Sequence, residues 1–142
     1  AAAVTGGMPT VAECGGFLYL GQALQGTDGQ WYPMAGVLPG KAERKEGLVR
    51  FGYARLVAEK ESLLLRAGER VPVHEFHHWD STENGVDLGV EKPLTGRTWR
   101  CGFTTDTLYA AFPHLYFAGH PALAQRFVAA ARRYSAKKEK QT

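Results

Sequence analysis

The stretch "TVAECGGFLYLGQAL", Thr10 to Leu24, constrains the fold more than any other part of the chain. An apolar run from Met8 to Glu13 reaches Cys14, and Phe17, Leu18, Leu20, Gly21 and Leu24 then follow helical spacing. Strand and helix meet at one residue. Such a turn is strained and tolerates only small neighbours. Small–x–nucleophile–x–Gly is the pattern of a nucleophile elbow, and Ala12, Cys14 and Gly16 fill it. It predicts a thiol at a helix N-terminus, where the dipole favours thiolate, with the Gly15 N–H as an oxyanion donor. The competing reading is a structural cysteine buried in a glycine-flanked turn.

The remaining pattern is strand-rich. Trp31 to Leu38, Val71 to His77, Arg97 to Phe103 and Leu108 to Phe117 read as strands. Leu48 to Val57 and Ser62 to Leu65 read as a strand pair turning through "AEKE". "PGKAERKEG" reads as a polar connection, and "WDSTENGVDLGVEKPLTG" as a loop rich in turn formers. In "GHPALAQRFVAAARRY", Pro121 suits the first helical position, and Leu123, Phe127, Ala131 and Tyr134 share one apolar face. Helices at both ends with strands between them make the class α/β or α+β, and 142 residues make one domain. The first strand has no helical layer before it, which predicts a piece of something larger.

Charge and cysteine content exclude several functions. The net charge of +3 owes much to "ARRYSAKKEKQT", which reads as a helix C-terminus with a solvated tail. No aromatic residues interleave its lysines, so nucleic acid is not an expected partner. No apolar run approaches the roughly 18 residues of a membrane span, and no signal peptide is visible. Cys14 and Cys101 make no disulfide framework, which fits a reducing cytoplasm; Cys101 reads as a core residue.

A cysteine nucleophile needs a base. Three of the five histidines crowd into "VHEFHHWD". Strand alternation puts His74, Phe76 and His78 on one face, and Glu75 and His77 on the other. No HxxEH or CxxC spacing supports zinc, so no metal site is expected. His114 stands at a strand end and His120 beside the start of the last helix; either could equally be a cap or surface residue.

The ordered segments "AECGGFLYLG", "MAGVLPG", "VHEFHHWDSTENG" and "FPHLYFAGHP" resemble the C-terminal glutamine amidotransferase domain of the cobyrinate a,c-diamide synthases, from about Gly7 to about Tyr134. That family belongs to the class I, or triad-type, amidotransferases. The resemblance implies a flavodoxin-like sheet flanked by helices, here lacking its N-terminal strand and helix. Residues 1–142 would then be a C-terminal fragment of the amidotransferase domain. It implies Cys14 as nucleophile, His114 as general base and acid, and Gly15 as an oxyanion donor. A second oxyanion donor is expected from a loop upstream of Ala1.

The class carries a glutamate two residues after the histidine, where this chain has Tyr116. Glu75 is a candidate orienter by its family position. His77, with His74 and His78, lines or buttresses the glutamine pocket, and His120 is structural. The implied partners are glutamine, cobyrinate, an N-terminal synthetase domain and a second copy in a homodimer. The domain itself binds no cofactor; ATP and Mg2+ belong to the synthetase half. Two alternatives stand beside this reading: a non-catalytic amidotransferase-like fragment, and an amidotransferase domain for cobyric acid or another tetrapyrrole.

Overall fold

The computed structural model describes residues 1–140, so Gln141 and Thr142, the end of the expected solvated tail, lie outside the described residues. The apolar run before the cysteine is β1 (Thr10–Glu13), preceded by one helical turn, α1 (Ala2–Thr5). Helix α2 (Gly15–Leu20) follows the cysteine, and Gly21 ends it by donating its N–H to the Leu18 carbonyl. It is shorter than the apolar spacing predicts, because Leu24 belongs to the next strand, β2 (Ala23–Gln25). Then come β3 (Trp31–Pro33), β4 (Lys41–Arg44), β5 (Arg50–Ala58), β6 (Arg70–His77) and β7 (Trp79–Ser81). The chain continues through β8 (Leu88–Glu91), β9 (Thr98–Cys101), β10 (Phe103–Thr104), β11 (Leu108–Ala111) and β12 (His114–Leu115) to the long helix α3 (Pro121–Glu139).

The architecture is mixed α/β, as expected from the sequence. The strands form three sheets, ordered β1-β11-β10, β12-β6-β5-β8-β9 and β3-β2-β4-β7. β1 and β11 pair in parallel, with Glu13 opposite Ala111, while the five-stranded sheet is antiparallel throughout. β11 is buried along its whole length and divides two apolar cores. Its Tyr109 and Ala111 face the core built from β5, β6, β8 and α3, and its Leu108 and Ala110 face the core under α2. Burial on both faces is what a central strand requires. Cys14 therefore follows a strand anchored to the best-buried strand of the fold.

Several sequence expectations need correction. Ser62–Leu65 is not a strand; Ser62 N–H donates to the Leu65 carbonyl, and Leu63, Leu64 and Leu65 plug the core from a turn. The hairpin partner of β5 is β6, with Tyr53 opposite His74. The supposed loop after His78 holds β7 and β8, where Leu88 and Val90 alternate inward. The polar connection holds β4, whose one buried residue is Ala42. The expected strand Arg97–Phe103 breaks at Gly102, whose φ of +79° is a left-handed value that suits glycine. A Cβ there would stand 2.7 Å from Leu88 Cδ1. The run Leu108–Phe117 breaks at Phe112 and Pro113, where the buried Tyr109 hydroxyl donates to the Pro113 carbonyl at 3.1 Å.

Candidate active site

The expected strand–turn–helix is present at Cys14. Its φ of +47° with ψ of −107° makes it the one non-glycine with positive φ among the described residues. A side chain held there costs on the order of 1–3 kcal/mol. The backbone holds it on both sides: the Cys14 N–H donates to Ala111 O at 2.9 Å, and the Cys14 carbonyl accepts from Leu18 N–H at 3.0 Å. Gly16 packs close to Ala12, and a Cβ there would stand 3.6 Å from the Ala12 methyl. A Cβ on Gly15 would meet nothing within 4 Å, so the space over that residue is open. An open space beside a peptide N–H is what a substrate oxygen needs.

The thiol is half-buried and makes a long sulfur contact, Sγ–H to Phe76 O at 3.9 Å. The ladder between β6 and β12 pairs His114 with His74 and goes no further toward Pro113, which has no N–H to give. Phe76 O, two residues on from His74, meets the thiol instead. Burial pushes the Cys14 thiol above its ordinary range; the Gly15 N–H pulls the other way, and the Glu75 and Glu13 carboxylates add to the rise. The sequence expects thiolate to be favoured at this helix start. In the structure, desolvation and the two nearby carboxylates outweigh the Gly15 N–H, so the balance at the sulfur runs against thiolate.

His114 lies on β12 with 43% of its side chain exposed. Its Nδ1 stands 3.4 Å from Glu13 Oε2, an ion-pair distance rather than an aligned hydrogen bond. The other oxygen, Glu13 Oε1, accepts from the Leu115 N–H at 2.9 Å. Glu13 is the functional candidate that the sequence reading passes over. Its signal is its place immediately before the cysteine, at the end of a strand that leads into the site.

Glu75 does not reach His114. It faces His77, and both side chains are 2% exposed. His77 Nε2 lies 3.1 Å from Glu75 Oε2, and His77 Nδ1 lies 2.7 Å from Trp79 O. Arg50 Nε approaches Glu75 Oε2 only to 4.0 Å, and Glu75 Oε1 finds no protein hydrogen-bond partner. The His77 ring stacks on Phe112 at 3.7 Å and 5°, and Phe112 meets the edge of Phe17 in α2 at 5.1 Å. Glu75 and His77 thus support the elbow from below. His74 and His78 face outward beside Phe51, Tyr53 and Phe76.

The other candidates lie apart from the thiol. Tyr116 is 63% exposed, with its ring over Gly119. His120 is the N-cap of α3, with Pro121 in the first turn, and its side chain makes no capping bond. Cys101 is 1% exposed, and burial pushes its thiol up to about 12. Among the described residues, no cluster of three histidine, cysteine or carboxylate side chains is arranged to hold a metal. Two clefts of about 660 and 610 Å³ are lined by neither Cys14 nor His114.

The family model for the CobB/CobQ-like glutamine amidotransferase domain matches residues 1–122. The chain belongs to that family. Similar curated proteins carry consistent names. The chain is 38% identical over 131 residues to the cobyrinate a,c-diamide synthase of Salmonella typhimurium, covering 89% of this chain and 28% of that protein. It is 36% identical over 136 residues to the Thermoplasma volcanium protein of the same name, covering 94% and 29%. It is 38% identical over 131 residues to the hydrogenobyrinate a,c-diamide synthase of Thermobifida fusca, covering 87% and 26%. This amidotransferase domain thus spans less than a third of the length of the relatives it matches. No described helix is long and apolar enough to cross a membrane.

Proposed function

We propose that this chain is the C-terminal glutaminase portion of a cobyrinate a,c-diamide synthase, acting in corrin biosynthesis in the cytoplasm. The observation that carries the reading is Cys14: a half-buried thiol on a strained, positive-φ residue between strand and helix, in a family of amidotransferase domains. The strained backbone lifts the thiol from the sheet, and the space over Gly15 is open, so its N–H, which also bears on the thiol, can donate to the oxygen of an attacked amide.

The reaction follows from these groups. His114 takes the Cys14 proton, and the thiolate attacks the side-chain amide carbon of glutamine. The Gly15 N–H donates to the oxyanion of the tetrahedral intermediate. His114 returns the proton to the amide nitrogen, the C–N bond breaks, and ammonia leaves a γ-glutamyl thioester. Water then gives a proton to His114 and attacks the thioester carbon. The C–S bond breaks, the sulfur regains its proton, and glutamate departs. One glutamine and one water give one glutamate and one ammonia.

The ammonia would pass to a synthetase half for amidation of two ring carboxylates. ATP and magnesium are expected on the synthetase half, since the sequence of this chain carries no G-x-x-x-x-G-K-[ST] loop. One observation favours a second ring: the hydrogenobyrinate enzyme is as similar to this chain as the first cobyrinate enzyme is, at 38% identity.

The test uses a diazo-ketone analogue of glutamine and peptide mapping of the full-length protein. Label is expected on Cys14 and not on Cys101. Label on Cys101 with Cys14 untouched would overturn the reading.

A further inference from the structure

A general base that must take one proton from a thiol needs a fixed ring and a fixed tautomer. His114 is 43% exposed, so packing alone does not hold it. Glu75 is committed to His77, and Tyr116 points away over Gly119. Among the described residues, Glu13 is the one carboxylate at ion-pair distance from the His114 ring.

We infer that Glu13 is the positioning residue of the site: one carboxylate oxygen is anchored on the Leu115 N–H, and the other holds His114 Nδ1. The proposal rests on the reading of Cys14 and His114 as the glutaminase pair. Its geometry comes from the strand register. Glu13 stands opposite Ala111 at the end of the parallel β1–β11 pair, and the chain turns through Phe112 and Pro113 directly into His114. The nucleophile and the carboxylate are sequence neighbours, so the elbow that lifts Cys14 also aims Glu13 at the base. The 2.9 Å bond to Leu115 fixes the carboxylate before any substrate arrives. The 3.4 Å approach to Nδ1 is the long, poorly aligned contact typical of an unliganded catalytic pair, which tightens as the imidazole becomes charged. With Nδ1–H directed at Glu13, Nε2 is the nitrogen left to take the thiol proton.

The same carboxylate acts on the thiol with the opposite consequence. Its negative charge helps to keep the Cys14 proton in place at rest. Removing the charge therefore makes the thiol more acidic while leaving the base misplaced. The alkylation midpoint reports the charge alone, as for any nearby carboxylate; a fall in kcat at unchanged melting, partly recovered in Glu13→Asp, is what a merely structural residue would not give.

The experiment is Glu13→Gln in the full-length protein, beside Cys14→Ser. Glutamine keeps an acceptor for Leu115 N–H and nearly the same volume, so the fold is expected to melt as the wild type does. Expected is a fall in kcat for glutamine hydrolysis of about 100-fold with KM within a few-fold, because a lost orienter affects the transition state more than ground-state binding. The pH midpoint for alkylation of Cys14 should move down. Glu13→Asp, one methylene shorter, should recover part of kcat. Wild-type kcat in Glu13→Gln, with Cys14→Ser inactive, would overturn the proposal alone. Full turnover in Cys14→Ser would overturn the reading beneath it, and the proposal with it.

Discussion

Two histidine–carboxylate pairs stand near Cys14, and they differ in burial. Glu13 and His114 are 24% and 43% exposed at 3.4 Å, whereas Glu75 and His77 are both 2% exposed at 3.1 Å. Both carboxylates raise the thiol. In the buried pair each imidazole nitrogen already faces an oxygen, Glu75 Oε2 or Trp79 O, and the ring is stacked on Phe112. Nothing on that ring is left to accept a proton from outside. In the exposed pair one nitrogen faces Glu13, and among the described residues no protein group bonds the other. On the proposed mechanism, the same two residue types make a support in one place and a proton carrier in the other. Vacancy at one ring nitrogen, more than nearness to the thiol, separates them.

The sharpest way to break this comparison is to delete each ring. His114→Ala should lower glutaminase turnover of the full-length protein by about 100- to 10,000-fold, since it removes a general base. Its thermal midpoint should move little, because nearly half of the side chain is exposed and one ring nitrogen has no protein partner among the described residues. His77→Ala should do the reverse in kind. It strands a buried carboxylate and empties the stack on Phe112, which should cost about 3–5 kcal/mol of stability in a denaturation experiment. That is a large share of the 5–15 kcal/mol typical of a domain. Should His77→Ala fold normally and lose only turnover, the buried pair would be part of the chemistry.

A smaller change sharpens the same contrast. Glu75→Gln keeps the shape of the buried pair and removes its charge. Because Glu75 raises the Cys14 thiol, its removal lowers that pKa. At any pH below the midpoint more thiolate is present, so alkylation should be faster and its pH profile should move to lower pH. Iodoacetamide titration with mass mapping measures this. Cys101 serves as the internal control, since burial holds its thiol up at about 12 and hides it from the reagent. A profile that stays in place would show that the Glu75 charge does not reach the sulfur.

The elbow is legible in the sequence because strain and sterics are local. Cys14 can occupy that backbone only with small neighbours, and these stand beside it in the chain. The carboxylate partners are not legible for the opposite reason. Glu13 meets His114 across 101 positions, through a β1–β11 register that alternation alone does not assign. Strand alternation did place Glu75 and His77 together on one face, yet it could not say that this face is buried or that they would satisfy each other. The errors of fold have similar causes. Leu63 to Leu65 are apolar enough for a strand, but they fill the core from a turn. Lys41–Arg44 is polar enough for a loop, but its backbone is paired on both sides, by β2 and β7.

The smallest expected effect tests which late histidine belongs to the comparison. His120 lies six positions after His114 and starts α3. Its backbone does the capping: its carbonyl accepts from the Leu123 N–H at 3.0 Å, while its side chain caps nothing. Pro121 follows in the first turn, with φ fixed for the helix and no N–H that needs a partner. Alanine retains the carbonyl and tolerates the extended φ of −138°. The stability change should therefore stay within about 0.5 kcal/mol, as for a surface substitution away from any special feature. Turnover should stay within about twofold, because the ring has no bond to Cys14, Glu13 or His114 to lose. Kinetics and melting of His120→Ala beside His114→Ala decide the point. If His120→Ala abolished turnover and His114→Ala spared it, the proton carrier would stand at the helix start, and the exposed Glu13–His114 pair would be a surface ion pair.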